Sequence, residues 1–173
     1  TYFEHYLYHY VPALPAAWLK ALARRFTVSQ CHAVDAVISP SRAMAEALQA
    51  YGVRTRIEVL PTGLDAGRFR AGDRQRFRAR HGIAPDRPVV LFVGRVAHEK
   101  NIDFLLELLP ALRERVPDVL FVLAGEGPAA GHCRDVVRRL GLEAQVLFVG
   151  NMDRDTELLD CYAAADVFAF ASR

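Results

Sequence analysis

Val89-Val90-Leu91-Phe92-Val93 runs without a break into Gly94-Arg95-Val96-Ala97-His98-Glu99-Lys100-Asn101. Five continuous apolar residues read as a buried strand, and the apolar phase from Ile102 onward reads as a helix. An anion site can form where a strand ends on glycine and a helix begins. The missing Cβ lets a ligand approach the backbone, and the helix amides and dipole favour negative charge. Arg95 and Lys100 flank that turn, which points to a phosphorylated ligand. The same pair also fits a surface arginine and a lysine paired with Glu99. A Walker-type loop is absent, because it needs a longer glycine pattern ending in lysine and a hydroxyl residue. The dinucleotide fingerprint is absent too. Gly125-Glu126-Gly127-Pro128 carries two of its glycines but lacks the third.

Working outward, the grammar repeats. Strands are expected at 119–124, 146–149 and 167–170, with helices between them. The first of these helices runs over 101–115, with Ile102, Leu105, Leu109 and Leu112 in phase. Pro128 opens the second helix and Gly141 closes it, and Asp153 caps a third. Short, continuously apolar strands alternating with helices predict an α/β sheet of the doubly wound kind. Ligands of such sheets sit beyond the carboxyl ends of the strands, here Gly94, Gly125, Gly150 and Ser172.

The N-terminal third reads as a separate section. A helix is expected from about Ala16 to Cys31, with Leu19, Leu22, Ala23 and Phe26 at helical spacing. A strand follows over 34–38. Ser41 caps a helix from Arg42 to about Tyr51, Gly52 stops it, and a strand follows over 57–60. These two strands are expected in a sheet of their own. Between Leu64 and Pro88, arginines at 68, 70, 74, 76, 78, 80 and 87 crowd a stretch with few apolar residues. It reads as a linker whose arginines form a solvated face, with Asp73 capping a short helix that ends near Gly82.

The 173 residues are 52% hydrophobic, so a sizeable core is expected and wholesale disorder is excluded. Net charge is +2, too small for nucleic acid as the main partner. Twenty of the 22 basic residues are arginine, which sets Lys100 apart as a compact point charge. Cys31, Cys133 and Cys161 lack metal-ligand spacing and read as reduced, mostly buried thiols of a cytosolic protein. No run is long enough to cross a bilayer, and Thr1 to Tyr10 has no signal-peptide pattern. Thr1 is an uncommon natural start and the chain stops directly after a strand, so it reads as a piece of a larger enzyme. A sheet left partly bare is then expected to associate.

Other chemistry is weaker. His98 lies between Arg95 and Lys100; a general base there would need an activating partner and a substrate position, and the residue reads as an exposed loop histidine. His5 and His9 are four apart, but the residues around them are tyrosines, and no metal site is expected. Ser39 and Ser41 read as turn and cap residues. Tyr2, Phe3, Tyr6, Leu7, Tyr8, Tyr10 and Trp18, followed by Lys20, Arg24 and Arg25, suit a bilayer interface. They equally suit a helix and loop packed inside a larger domain.

The ordered series 36–42, 59–65, 93–101, 123–128, 146–150 and 163–173 resembles the large fourth family of nucleotide-sugar glycosyltransferases. This is the retaining group with two facing Rossmann-like domains, the GT-B fold. The resemblance implies an α/β chain with two Rossmann-like domains of GT-B type, both incomplete here. Residues 1–64 would be the C-terminal part of the N-terminal acceptor-side domain and 65–88 an arginine-rich crossover. Residues 89–173 would be the first half of the C-terminal nucleotide-sugar-binding domain. It puts Gly94, Arg95 and Lys100 on the donor diphosphate, with Arg95 and Lys100 in the catalytic role, and the backbone near Met152 beside the nucleobase. Glu126 falls in another cleft loop with no assigned role.

The implied chemistry is transfer of a sugar from a nucleoside diphosphate sugar to a hydroxyl, with retention, by a hexosyltransferase that uses neither metal nor other cofactor. The family's pair of glutamates would follow just beyond Ser172-Arg173, and its early glycine-rich loop and final crossing helix lie outside this stretch. The 173-residue piece is therefore expected to be inactive by itself. The aromatic opening, Thr1 to Pro12, is similar to a narrower branch that glycosylates diacylglycerol or glycosyl-diacylglycerol. This implies a lipid acceptor and peripheral membrane contact through residues 1–30, on the cytoplasmic face. The same chemistry on a soluble or carrier-linked saccharide, and a non-catalytic nucleotide-binding module, are the competing readings.

Overall fold

The structure, a computed structural model, describes residues 15–171. The aromatic opening, with His5 and His9, and the final Ser172-Arg173 lie outside the described residues. The chain divides into two compact units, Thr1–Leu64 and Asp65–Arg173.

The first unit holds α1 (Ala16–His32), β1 (Ala36–Ser39), α2 (Arg42–Ala50) and β2 (Arg56–Val59). β1 and β2 pair in parallel, Ala36 opposite Arg56 through Ser39 opposite Val59, in a sheet of their own as expected. Ser41 caps α2, its Oγ accepting the Met44 amide at 3.2 Å. The buried Ser39 hydroxyl donates to the Ser41 carbonyl at 2.9 Å. Thr55 Oγ1 donates to the Cys31 carbonyl at 2.8 Å, tying the start of β2 to the end of α1.

α1 forms where the sequence predicts it, but its apolar residues are not all covered. Leu19 is buried, but Leu22 and Phe26 are 62% and 64% exposed. With Trp18, 78% exposed, they form an outward apolar stripe at i, i+4 and i+8. Periodicity identifies an apolar face; it does not say whether anything covers it.

The second unit begins with a 3₁₀ turn (Arg68–Ala71) and α3 (Arg74–Arg80). Then come β3 (Val89–Val93), a 3₁₀ turn (His98–Lys100), α4 (Ile102–Arg115), β4 (Leu120–Ala124) and α5 (Ala130–Arg139). β5 (Val146–Gly150), α6 (Glu157–Ala164) and β6 (Val167–Phe168) complete it. All four strands are parallel, in the order β5-β4-β3-β6. β6 is shorter than the expected 167–170, although the Ala169 amide still donates to the Leu91 carbonyl at 2.8 Å.

Both sheet faces are covered around β3 and β4, whereas β6 at the sheet edge is left partly bare as expected, with Val167 57% and Phe168 51% exposed. Phe92, Phe121 and Leu123 pack with Ile102, Leu106, Leu109, Val136 and Val137 of α4 and α5. On the other face Leu91, Leu120 and Val122 pack with Phe77, Ile83, Cys161 and Ala164. Each such fully buried large side chain contributes about 1.5–3 kcal/mol. This is the doubly wound α/β arrangement the strand pattern predicts.

The stretch 65–88 is not a free linker, and its arginines are not a uniform solvated face. Phe77 and Ile83 are buried against β3 and β4, so α3 serves as a covering helix. Arg78 is 3% exposed, with hydrogen bonds to the carbonyls of Ala84, Pro85, Arg87 and Ala164. Arg76 grips Asp160 of α6 in a fork at 2.6 and 2.7 Å. Arg80 pairs with Glu157 and Arg68 with Asp155.

The Arg76 hydrogen bonds hold the buried Asp160 carboxyl below its ordinary pKa against the opposing effect of burial, with the Asp73 amide adding to the depression. A carboxyl whose folded pKa is depressed adds stability that is fully present above its unfolded pKa, about 3.9. That stability is lost as pH falls through the folded value. The unfolding midpoint in urea should therefore fall as pH drops below about 4. An Asp160→Asn variant, already less stable at pH 7, should lose less on acidification. Parallel acid limbs in the two proteins would refute the role of this pair.

Candidate functional site

The carboxyl ends of β3, β4 and β5 are laced together through backbone. The Gly94 amide donates to the Ala124 carbonyl at 3.0 Å and the Gly125 amide to the Gly150 carbonyl at 2.7 Å. The Val96 amide donates to the Glu126 carbonyl at 2.9 Å. A Cβ on Gly125, where φ is +128°, would lie 2.0 Å from the Gly94 carbonyl oxygen. One on Gly127 would lie 2.3 Å from the Val96 carbonyl oxygen. The two glycines of Gly125-Glu126-Gly127-Pro128 are thus required where one loop backbone crosses another.

Above this lacing lies an open cleft of about 640 Å³, its lining including Gly94, Arg95, Glu126, Gly150, Met152 and Arg154. The structure therefore brings together three of the four sequence-predicted residues: Gly94, Arg95 and Met152. Arg95 and Arg154 are exposed, and neither has an ion-pair partner among the described residues. The arginines of α3, by contrast, are paired: Arg74 with Asp166, Arg76 with Asp160, Arg78 with Asp166 and Arg80 with Glu157. Two unneutralised guanidiniums on one cleft suit an anionic guest. The Glu126 carboxylate also lines the cleft, beside Gly150.

Lys100 does not line this cleft. It ends the 3₁₀ turn after Gly94-Arg95, and its ammonium rests 5.2 Å from the centre of the Phe170 ring. Phe170 in turn stacks on Phe92. Asn101 follows in the left-handed conformation (φ 50°, ψ 40°), which asparagine tolerates better than most residues. That joint starts α4 without a side-chain cap. Asp103 in the first turn of α4 receives His132 Nε2 at 2.9 Å.

His98 is exposed, and its ring lies 5.9 Å from that of His132. Among the described residues no group of three or more His, Cys, Asp or Glu is arranged to hold a metal ion. Cys133 and Cys161 are buried, and burial pushes both thiols up to about 12. No helix among the described residues is long and apolar enough to cross a membrane.

Sequence reasoning missed Arg154 and the exposed Asn151 as cleft residues. Both lie in the loop after β5, so the rule that ligands sit past strand ends could have found them.

Residues 1–68 match the family described as "Glycosyltransferase Family 4", and residues 73–173 match "Glycosyl transferases group 1". An alpha-monoglucosyldiacylglycerol synthase of Streptococcus pneumoniae is 29% identical over 180 residues, covering 99% of this chain and 40% of the relative. A D-inositol 3-phosphate glycosyltransferase of Catenulispora acidiphila is 34% identical over 154 residues, covering 81% of this chain and 36% of the relative. Among solved structures, Anabaena Alr3699/HepE in complex with UDP and glucose aligns with a TM-score of 0.70 at 25% identity. That alignment covers 86% of this chain and 41% of HepE. The chain thus spans about two fifths of the length of these relatives. The fold is the GT-B-like Rossmann kind found in those glycosyltransferases. With residues 73–173, more than half of its length, matched to one family, the chain belongs to the group 1 glycosyl transferases.

Proposed function

We propose that the intact protein transfers a sugar from a nucleoside diphosphate sugar to a hydroxyl acceptor, with retention at the anomeric carbon. The observation that carries this is the cleft at the strand ends, with Arg95 and Arg154 unneutralised and Gly94 at its floor. In this reading Arg95 and Lys100 balance the negative charge that grows on the leaving diphosphate, and Gly94 lets a phosphate approach the backbone. The nucleobase sits beside Met152. Residues 1–64 belong to the acceptor side and residues 89–173 to the donor side.

For the acceptor, the names of the two relatives point in different directions, one to a diacylglycerol glycolipid and one to an inositol phosphate. The aromatic opening that resembles the diacylglycerol branch lies outside the described residues. We therefore place a soluble or carrier-linked saccharide ahead of a membrane glycolipid. One observation favours the lipid reading. The Trp18, Leu22 and Phe26 stripe of α1 is exposed, Arg25 lies on the same side, and the helix carries no acidic residue. Such a face suits peripheral contact with an anionic bilayer at the cytoplasmic side.

The test uses the full-length protein with labelled UDP- and GDP-sugars, offered soluble saccharides in one arm and anionic vesicles carrying diacylglycerol in the other. Label transferred with the anomeric configuration kept is the expected result. Preferential transfer into the vesicle arm, lost when Trp18, Leu22 and Phe26 are replaced by serine, would reverse the order of the acceptors. Nucleotide binding with no transfer to any acceptor would leave a non-catalytic module instead.

A further inference from the structure

The four strands of the second unit run in the order β5-β4-β3-β6. From β3 the chain steps outward through β4 to β5, then returns to pair β6 on the other side of β3. The carboxyl ends of β3 and β6 therefore flank the switch point of the sheet, where ligands of open α/β sheets bind. Arg95 follows the end of β3, and Phe170 follows the end of β6.

Lys100 has a fixed backbone beside this point. Its amide donates to the Ala97 carbonyl at 2.9 Å, and the Asn101 amide donates to the His98 carbonyl at 3.1 Å. Val96 and Ala97 are both buried. Only the four-carbon stem of Lys100 is left to move. Among the described residues its ammonium has no carboxylate partner, and the Phe170 ring, 5.2 Å away at its centre, is what holds it. The ring itself is fixed. Phe170 stacks on the buried Phe92 at 5.8 Å, with 5° between the planes, and on Phe168 at 6.3 Å and 12°. The Ala169 amide, donating to the Leu91 carbonyl at 2.8 Å, ties the same stretch to β3.

The two cations assigned to the diphosphate are therefore not alike. Arg95 lines the cleft without an ion-pair partner among the described residues, whereas Lys100 is engaged outside it. A group that must leave one contact to make another carries that cost into binding. We propose that Phe170 is a positioning residue that holds Lys100 off the diphosphate while the donor site is empty, and so lowers donor affinity. This rests on the donor reading given above and adds an internal competitor to it. A cation–π contact at an exposed site favours the held state by about two- to fivefold. A donor that needs Lys100 free then binds about three- to sixfold more weakly than it would without the ring. After transfer the ring competes for Lys100 again, which favours release of the nucleoside diphosphate.

The test measures binding of UDP and GDP to the full-length protein by calorimetry. The proteins are wild type, Phe170→Leu, Phe170→Trp, Lys100→Met and the Phe170→Leu/Lys100→Met double variant. Phe170 is 50% exposed, so there is room for either replacement. Leucine keeps an apolar contact with Phe92 but has no π face. UDP or GDP, whichever binds wild type, should therefore bind Phe170→Leu about three- to sixfold more tightly. Tryptophan offers the strongest face and should weaken the same nucleotide. With Lys100→Met already in place, Phe170→Leu should have no effect, because no cation is left to hold. Affinity unchanged or reduced in Phe170→Leu, with Lys100→Met still damaging, would overturn the hold and leave the donor reading standing. A gain that persists in the double variant would also overturn it, because the ring would then act through packing. Absence of any nucleotide binding by wild type would remove the donor reading, and the hold with it.

Discussion

Arg95→Ala and Lys100→Ala in the full-length protein should each lower turnover at saturating donor by about 30- to 1000-fold, while His98→Ala stays close to wild type. The magnitude follows from the charge that develops when a sugar leaves a diphosphate. Removing one preorganised group that stabilises such charge costs roughly 2–4 kcal/mol of barrier. Arg95 lines the cleft with no ion-pair partner among the described residues, so its guanidinium is ready for a phosphate. Lys100 starts from the Phe170 ring, 5.2 Å away. Leaving an exposed ring of that kind costs about 0.5–1 kcal/mol, well below what a phosphate contact returns. His98 is exposed in the 3₁₀ turn and outside the cleft lining, so it has no charge to stabilise there. Near-normal turnover in both variants would end the assigned roles. A loss confined to Arg95 would mean that Lys100 remains on Phe170 throughout.

The second large effect is on stability. Arg78→Ala should cost about 3–5 kcal/mol, the range for removing one partner of a buried polar network. Three Nη1 bonds, at 2.8, 3.0 and 2.8 Å, hold the carbonyls of Ala84, Pro85 and Arg87. Nη2 holds the Ala164 carbonyl at 2.8 Å and Asp166 at 3.3 Å. One guanidinium therefore joins the turn before β3 to the end of α6. Burial already lowers its pKa, and only this set of acceptors keeps a buried cation tolerable. Arg78→Lys should recover little, because a point charge cannot span carbonyls on several sides. Arg68→Ala, which breaks an exposed pair with Asp155, should change stability by about 1 kcal/mol or less. Guanidinium unfolding midpoints of the three variants check this ordering. Equal midpoints for Arg78→Ala and Arg68→Ala would contradict it.

Arg78 also shows where reading the chain stops. Arg74, Arg76, Arg78 and Arg80 are alike in sequence, and their crowding among few apolar residues reads as a solvated linker. What buries Arg78 is the carbonyl of Ala164 and the carboxylate of Asp166, which are 86 and 88 residues away. Such partners have no local signature. The same holds for Leu22 and Phe26, whose spacing marks an apolar face but not its exposure.

The sequence by itself determined the strands, their order of alternation with helices, the split into two sheets and the glycines that end three of the strands. These rest on local physics, the period of apolar residues and the backbone freedom of glycine, which twenty residues of context suffice to express. It also marked Gly94 and Arg95 by position alone, because a strand end that leads into a helix is where an anion can sit. Only the tertiary structure decided which arginines are neutralised and which are left open to a ligand. It gathered Arg95, Glu126 and Arg154 on one cleft, turned Lys100 onto Phe170, and tied α3 to α6 through Arg76–Asp160 and Arg80–Glu157. Charge pairing and cavity shape depend on distance in space, and the separations along the chain that produce them leave no periodic trace.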